Sequence, residues 1–268
     1  MNDQDFSTLT LVAIQAALKA GEILLKGFGT VYEITAKPGR QNIVTEYDHL
    51  SEACIISCIN DAFPSHNILA EEKGLVENSS GQDNILWIID PLDGTTNFAH
   101  QLPLFTISIA AYRKEHALCG VIYQPLSHEL FVGEKGKGAF LNGVRLAVSK
   151  TQHLDECLMT ASLPYDVNLE PILSIDQLLH LSQRGATLRN LGSAALALAY
   201  VAAGKTDAFW MYNLYPWDLA AGKLLIEEAG GLLTRYDKYP ISIDTPSSIL
   251  ATNRALHQPM LDFLTASR

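Results

Sequence analysis

Apolar positions recur at helical spacing near the start of the chain, with Leu9, Val12, Ala16, Ala20 and Ile23 in one stripe. That spacing predicts an amphipathic helix over residues 7–26, closed by Gly27-Phe28-Gly29. Thr45 and Asp48 have the form of a capping box, so a second helix is predicted from Thr45 to about Ala62, ahead of Pro64. A short strand at 67–70 leads into Glu71 and Glu72, and the polar stretch 77–84 reads as loop. Residues 85–89 form an unbroken apolar run, the mark of a buried strand. Further strands are predicted at 106–112, 117–123, 129–133 and 139–141, joined by turn-type residues such as Lys114-Glu115 and Asn142-Gly143. This first half reads as an antiparallel meander.

After about residue 150 helices and strands alternate. Strands are predicted at 157–162, 187–189, 208–211, 232–235 and 248–251, and helices at 171–182, 193–203, 217–229 and 256–265. The layout is α/β. No Pro/Gly/Ser-rich linker, repeat or low-complexity tract divides the chain. A single domain spanning 1–268 is expected, with the meander in about 1–150 and the alternating part in about 151–268.

Composition narrows the function. At 48% hydrophobic and 18% charged, 268 residues are enough for a substantial core. Lys and Arg number 19 against 29 Asp and Glu, a net charge of −10. Such a chain is a poor binder of nucleic-acid backbones or anionic lipid. It can still hold an anion where metal ions reverse the sign locally. The segment Met1–Asp5 has no basic start of a secretory signal, and apolar runs such as 194–203 are too short for a bilayer. A soluble cytoplasmic protein without a membrane partner is therefore expected. Cys54 and Cys58 stand one helical turn apart and read as small core residues, since no C-x-x-C supports a zinc site.

The chemistry concentrates in Asp90-Pro-Leu-Asp-Gly-Thr-Thr-Asn-Phe98. Asp90 closes a buried strand, and Pro91 is expected to end the ladder. Asp93 follows, Gly94 permits a close backbone approach, and Thr95-Thr96 can open a helical turn with N–H groups aimed at an anion. A strand, turn and cap explain the Pro, the Gly and one Asp. They leave a second carboxylate and two hydroxyls over. The D-x-D-x-T of haloacid-dehalogenase-type phosphatases does not match, because two residues separate Asp90 from Asp93. No Walker P-loop occurs. Two more acidic points are Glu71-Glu72, after its short strand, and Asp218 of Trp217-Asp218, at a helix start where a charge alone is worth about 0.5 kcal/mol.

Together the first motif, Trp217-Asp218 and the later Glu228-Ala-Gly-Gly231 resemble the inositol monophosphatase family of lithium-sensitive, magnesium-dependent phosphatases, over nearly the whole chain. The resemblance implies an αβαβα sandwich of the inositol monophosphatase and fructose-1,6-bisphosphatase type, and a homodimer. It assigns Glu71, Asp90, Asp93 and Asp218 as carboxylate metal ligands, with the carbonyl of Leu92. Thr95 and Asp48 match the pair that orients the attacking water, with help from Glu71, and Lys37 matches a mobile loop before them. Gly94 and Thr95 match the phosphate-contacting turn, and Gly192, Ser193 and Ala194 a second helix start lining the substrate pocket.

Elementary electrostatics supports the metal. Carboxylates about 4 Å apart repel by ~4 kcal/mol per pair at an effective dielectric constant near 20. Oxygen-only ligands suit Mg²⁺, two or three ions, or Mn²⁺. The implied activity is a Mg²⁺-dependent phosphomonoesterase acting on inositol monophosphate or a related polyol phosphate. At two positions the sequence departs from the pattern. Met211 stands where inositol-hydrolysing members carry a glutamate, and Asn42 where many carry aspartate. A thioether is a weak acceptor for sugar hydroxyls. Histidinol phosphate, fructose-1,6-bisphosphate and phosphoadenosine phosphate are therefore alternative substrates, with Trp210, Tyr212 and Tyr215 read either as pocket or as core. A non-catalytic metal-binding interaction module is the rival reading.

Overall fold

A computed structural model of the protein describes residues 6–30, 33–36, 43–78, 84–161, 171–235, 239, 241–243 and 245–266. Lys37 and Asn42 lie outside them. The chain opens with helix α1 (Thr8–Gly27), then strands β1 (Ile34–Ala36) and β2 (Ile43–Thr45), helix α2 (Glu46–Ala62), and strands β3 (Asn67–Ala70), β4 (Gly74–Val76) and β5 (Ile85–Asp93). A short helix α3 (Thr95–Ala99) precedes the meander β6 (Thr106–Arg113), β7 (His116–Gln124), β8 (Glu129–Glu134), β9 (Gly138–Leu141) and β10 (Val144–Arg145). The rest is β11 (Leu158–Ala161), α4 (Pro171–Gln183), β12 (Thr187–Arg189), α5 (Ala194–Ala202), β13 (Ala208–Leu214), α6 (Pro216–Glu228), β14 (Leu232–Arg235), β15 (Ser247–Thr252) and α7 (Arg254–Ala266).

Two sheets carry these strands. The larger runs β10-β9-β8-β7-β6-β5-β3-β4 and is antiparallel except between β3 and β5. The smaller runs β12-β11-β13-β15-β14, with its first two pairings parallel. β1 and β2 form a separate hairpin pair.

Alternation along the strands builds five layers. On β7, Cys119, Val121 and Tyr123 join the cluster beneath α1 and α2, while Ile122 joins the cluster formed with α5 and α6. On β13, Phe209 and Met211 face that same central cluster, and Trp210 and Tyr212 pack with Leu256, Met260 and Leu264 of α7 and Leu181 of α4. The order is therefore α1/α2, large sheet, α5/α6, small sheet, α4/α7, which is the αβαβα sandwich. Trp87 is fully buried on β5, and its indole N–H donates to His66 Nδ1 at 3.0 Å, so its one polar atom is satisfied.

Two sequence expectations need correction. β5 does not stop at Asp90. It continues to Asp93, with a register shift against β6 between Asp90 and Asp93. Pro91 sits in that irregularity, where its missing N–H costs no ladder bond. And α1 is long and apolar enough to fit a bilayer by length and composition, unlike the shorter runs considered from sequence. Here Ala13, Ala16, Ala17, Ala20 and Leu24 instead fill the layer against the large sheet. The four cysteines are free thiols, with Cys119 and Cys157 buried and Cys54 and Cys58 half-buried on α2.

Candidate active site

The end of β5 places Asp90 and Asp93, and the start of α6 places Asp218. One ligand atom from each carboxylate lies within 4.8 Å of the others. Asp90 and Asp93 are buried and Asp218 is partly so. Burial first, and then the charges of Glu71, Asp93 and Asp218, hold the Asp90 carboxyl well above its ordinary value. Glu71 is outside the tightest trio, yet its charge acts on Asp90 more strongly than either aspartate's.

Each carboxylate also has a local task. Asp90 Oδ1 accepts the Leu92 N–H at 3.0 Å, closing the bend around Pro91. Asp218 Oδ2 accepts the Tyr215 N–H at 2.8 Å and so caps α6, whose first residue is Pro216. Asp93 is tied across the molecule to the start of α5. Its Oδ2 accepts from Ser193 Oγ at 2.5 Å and Ala195 N at 2.7 Å, and its Oδ1 from Ala194 N at 3.3 Å. Burial raises the Asp93 carboxyl, and these bonds partly offset that rise.

This bears on the second helix start expected to line a pocket. Ser193 Oγ accepts the Leu196 N–H at 3.2 Å as N-cap. The N–H groups of Ala194 and Ala195 are turned to Asp93, so the positive end of α5 steadies a carboxylate.

Asp48 and Thr95 are hydrogen-bonded to each other. Asp48 is fully buried and accepts the Thr45 N–H at 2.8 Å and the Thr45 hydroxyl at 2.6 Å on Oδ2. Its Oδ1 faces the Thr95 hydroxyl at 3.0 Å. Burial raises the Asp48 carboxyl against the pull of these donors. The same Thr95 hydroxyl lies 3.0 Å from the Leu92 carbonyl, which keeps a second lone pair for a ligand.

Gly94 adopts φ 96°, and a Cβ there would stand 2.9 Å from the Leu104 carbonyl. The close approach that its sequence position suggested is thus to neighbouring backbone. Gly192, at φ 68°, is as constrained, since a Cβ would meet Asn97 Nδ2 at 2.7 Å. Asn97, to which sequence reasoning gave no role, donates from Nδ2 to the carbonyls of Leu104 at 2.6 Å and Leu191 at 2.8 Å. It pins the loops flanking α3 and α5 together. The buried face of α2 was also missed. There Ser51 donates to the Pro91 carbonyl at 2.8 Å, and Glu52 accepts from the turn after β3. The available signal was polar residues at Asp48, Ser51 and Glu52 in line with Ile55 and Ile59 on the buried stripe.

Met211 is buried in the central apolar cluster. Trp210 and Tyr212 belong to the outer core, while Tyr215 is exposed and stacks on Trp217 at 5.0 Å and 2°. Glu228, at the far end of α6 from Asp218, accepts the N–H groups of Gly136 and Gly138 at 3.0 Å and braces a turn.

The trio fits a hard divalent cation. It offers carboxylate oxygens, with no nitrogen or sulfur. Their repulsion in a buried site is relieved only by cations or protons.

Comparison with known proteins agrees. The model of the inositol monophosphatase family matches residues 5–265. An inositol-1-monophosphatase of Caulobacter vibrioides is 41% identical over 257 residues, covering 95% of this chain and 100% of that one. Nus factor SuhB of Escherichia coli is 41% identical over 226 residues, 84% of each chain. The crystal structure of extragenic suppressor protein suhB from Bartonella henselae superposes with a TM-score of 0.90 at 35% identity, covering 96% of this chain and 98% of that one. Matched by the family model over nearly its whole length and 41% identical to a full-length member, the chain belongs to the inositol monophosphatase family.

Proposed function

We propose that the protein is a Mg²⁺-dependent phosphomonoesterase that hydrolyses a small phosphorylated metabolite, inositol monophosphate or a related polyol phosphate. The observation that carries this reading is the aspartate trio within 4.8 Å beside the bonded Asp48–Thr95 pair. Asp90, Asp93 and Asp218, with Glu71 and the Leu92 carbonyl, would hold the cations. When bound, these would acidify a water and neutralise the phosphoryl oxygens. Thr95 Oγ is placed to accept a proton from an attacking water while passing its own toward Asp48 Oδ1. Asp48, with a raised pKa, is suited to receive it. The turn at Gly94-Thr95 would present backbone N–H groups to the phosphate.

Met211 stands where inositol-hydrolysing members carry a glutamate, and it lies in the central apolar cluster, so this position offers a polyol hydroxyl no carboxylate. Histidinol phosphate, fructose-1,6-bisphosphate and phosphoadenosine phosphate therefore belong in the assay beside inositol 1-phosphate. Phosphate release from at least one of them, dependent on Mg²⁺ or Mn²⁺, blocked by chelator and lost in Asp90→Asn, supports the reading. No release from any of them overturns it. The second reading, an interaction module that keeps the metal cluster, draws on the relatives whose name is that of a factor, Nus factor SuhB, rather than of an enzyme. The homodimer, cytoplasmic location and lithium sensitivity implied by the family are part of the proposal, and light scattering and inhibition by Li⁺ test the first and last.

A further inference from the structure

We propose that Glu52 is a positioning residue that sets the Glu71 carboxylate against the aspartate trio, by fixing the backbone turn that carries Glu71. The inference rests on the metal-site reading above. Helix α2 presents Asp48, Ser51 and Glu52 on its buried face, at the i, i+3 and i+4 positions of one stripe. Each grips a different piece of the site. Asp48 faces Thr95 at 3.0 Å, Ser51 donates to the Pro91 carbonyl at 2.8 Å, and Glu52 Oε2 accepts the N–H groups of Glu72 at 2.9 Å and Lys73 at 3.3 Å.

The turn needs this anchor. The parallel β3–β5 pairing ends at Ala70 opposite Ile89, with one more bond from Glu71 N to the Ile89 carbonyl at 3.3 Å. β4 begins at Gly74 and folds back on β3. Beyond that bond residues 72 and 73 turn without ladder support, and Glu52 accepts from both of their amides.

Glu52 is also costly where it stands. It is fully buried, and its Oε1 has no hydrogen-bond partner among the described residues. Burial raises its pKa, and the two turn amides and the charge of Lys73 oppose that rise. An apolar side chain would fill the same place without desolvating a carboxyl group. The bonds that Glu52 does make go to the turn beside Glu71. Groups that orient a ligand from behind typically matter ~10–100-fold for metal affinity.

The test is binding of Mn²⁺ alone, without substrate, followed by the electron paramagnetic resonance of the free ion. Glu52→Ala is expected to weaken binding about tenfold. Glu52→Gln, whose Oε1 can accept the same two N–H groups, is expected to stay within about twofold of wild type, well short of that loss. Glu52→Asp keeps the charge but falls one methylene short, so it should behave like Glu52→Ala. In a Glu71→Ala background, Glu52→Ala should weaken binding no further. Wild-type affinity in Glu52→Asp, an equal loss in the Glu71→Ala background, or no Mn²⁺ binding by the wild type overturns the proposal. If Glu52→Ala does not fold, the Gln and Asp variants decide. A wild type that binds Mn²⁺ with this pattern but releases no phosphate ends the phosphatase reading and leaves this one standing.

Discussion

The hydroxyl of Thr95 stands 3.0 Å from Asp48 Oδ1, and the same Asp48 closes the capping box of α2 through Thr45. One buried carboxylate thus starts a helix and orients a hydroxyl of the candidate active site. Asp48→Asn would put an amide N–H₂ or a weaker acceptor against these donors. Thr95→Val removes the hydroxyl with little change of shape. Thr95→Val is expected to lower kcat by about 10²–10⁴ with KM changed little, the signature of a lost proton-transfer role. Steady-state kinetics at saturating Mg²⁺ measures it, and a rise in KM alone would count against the role.

Acidity should stabilise the protein when no divalent ion is present. Asp48, Asp90 and Asp93 all titrate above their ordinary 3.8 in the folded chain. A group raised in this way favours folding while protonated. Its contribution is complete below the unfolded value and is lost as pH rises through the folded one. Glu129 and Glu134 are held below 4.5, so their contribution is present above that value and lost on further acidification. The three aspartates set the trend from their ordinary value up to their folded ones, against His257, pushed down to about 4 by burial, whose contribution grows with pH up to its ordinary 6.5. In EDTA the Tm should fall across this range, and Mg²⁺ should remove the fall. Calorimetry showing a flat Tm in EDTA would refute this.

Asp90→Asn should separate stability from binding. It removes the charge most strongly opposed by its surroundings. Without metal the variant is expected to melt higher than wild type, by about 2–4 °C for each kcal/mol of repulsion relieved. It should also lose the stabilisation by Mg²⁺ and the activity. A lower Tm in EDTA would contradict the electrostatic account.

Asn97→Ala should loosen the joint between the loops before β6 and α5. It leaves the carbonyls of Leu104 and Leu191 without the partner they share. A cost of about 1–3 kcal/mol is expected in urea unfolding. Gly94→Ala should cost a similar amount, about 1–3 kcal/mol, because its φ of 96° and the Leu104 carbonyl both oppose a side chain. If the chain is the single domain its sequence suggests, both variants will unfold in one transition.

Much of this architecture was legible in the residues. The box at Thr45 and Asp48 marked α2, and 67–70 and 187–189 coincide with β3 and β12. Their signals are local, a cap or a short apolar run between breakers. The extension of β5 through Pro91 was not legible, because Pro reads as a stop unless the partner strand is known to shift register there. β1, β2 and β4 were missed, each three residues long and lacking the alternation of helices and strands around it that marked 187–189. The motif announced the carboxylates. Its spacing could not tell that Asp93 is already engaged by α5, a contact between segments far apart in the chain.

Helix α6 carries Asp218 onto the large sheet, where two buried carboxylates already wait at the end of β5. A ribosome makes those two early and the third late, so the chain can assemble most of its meander before the charges confront one another. The charge of Asp218 then opposes the docking of α6 where divalent ions are scarce, against the apolar face of the helix that favours it. The same trio that would hold the cations would make completion of the newborn chain sensitive to the ionic state of its surroundings.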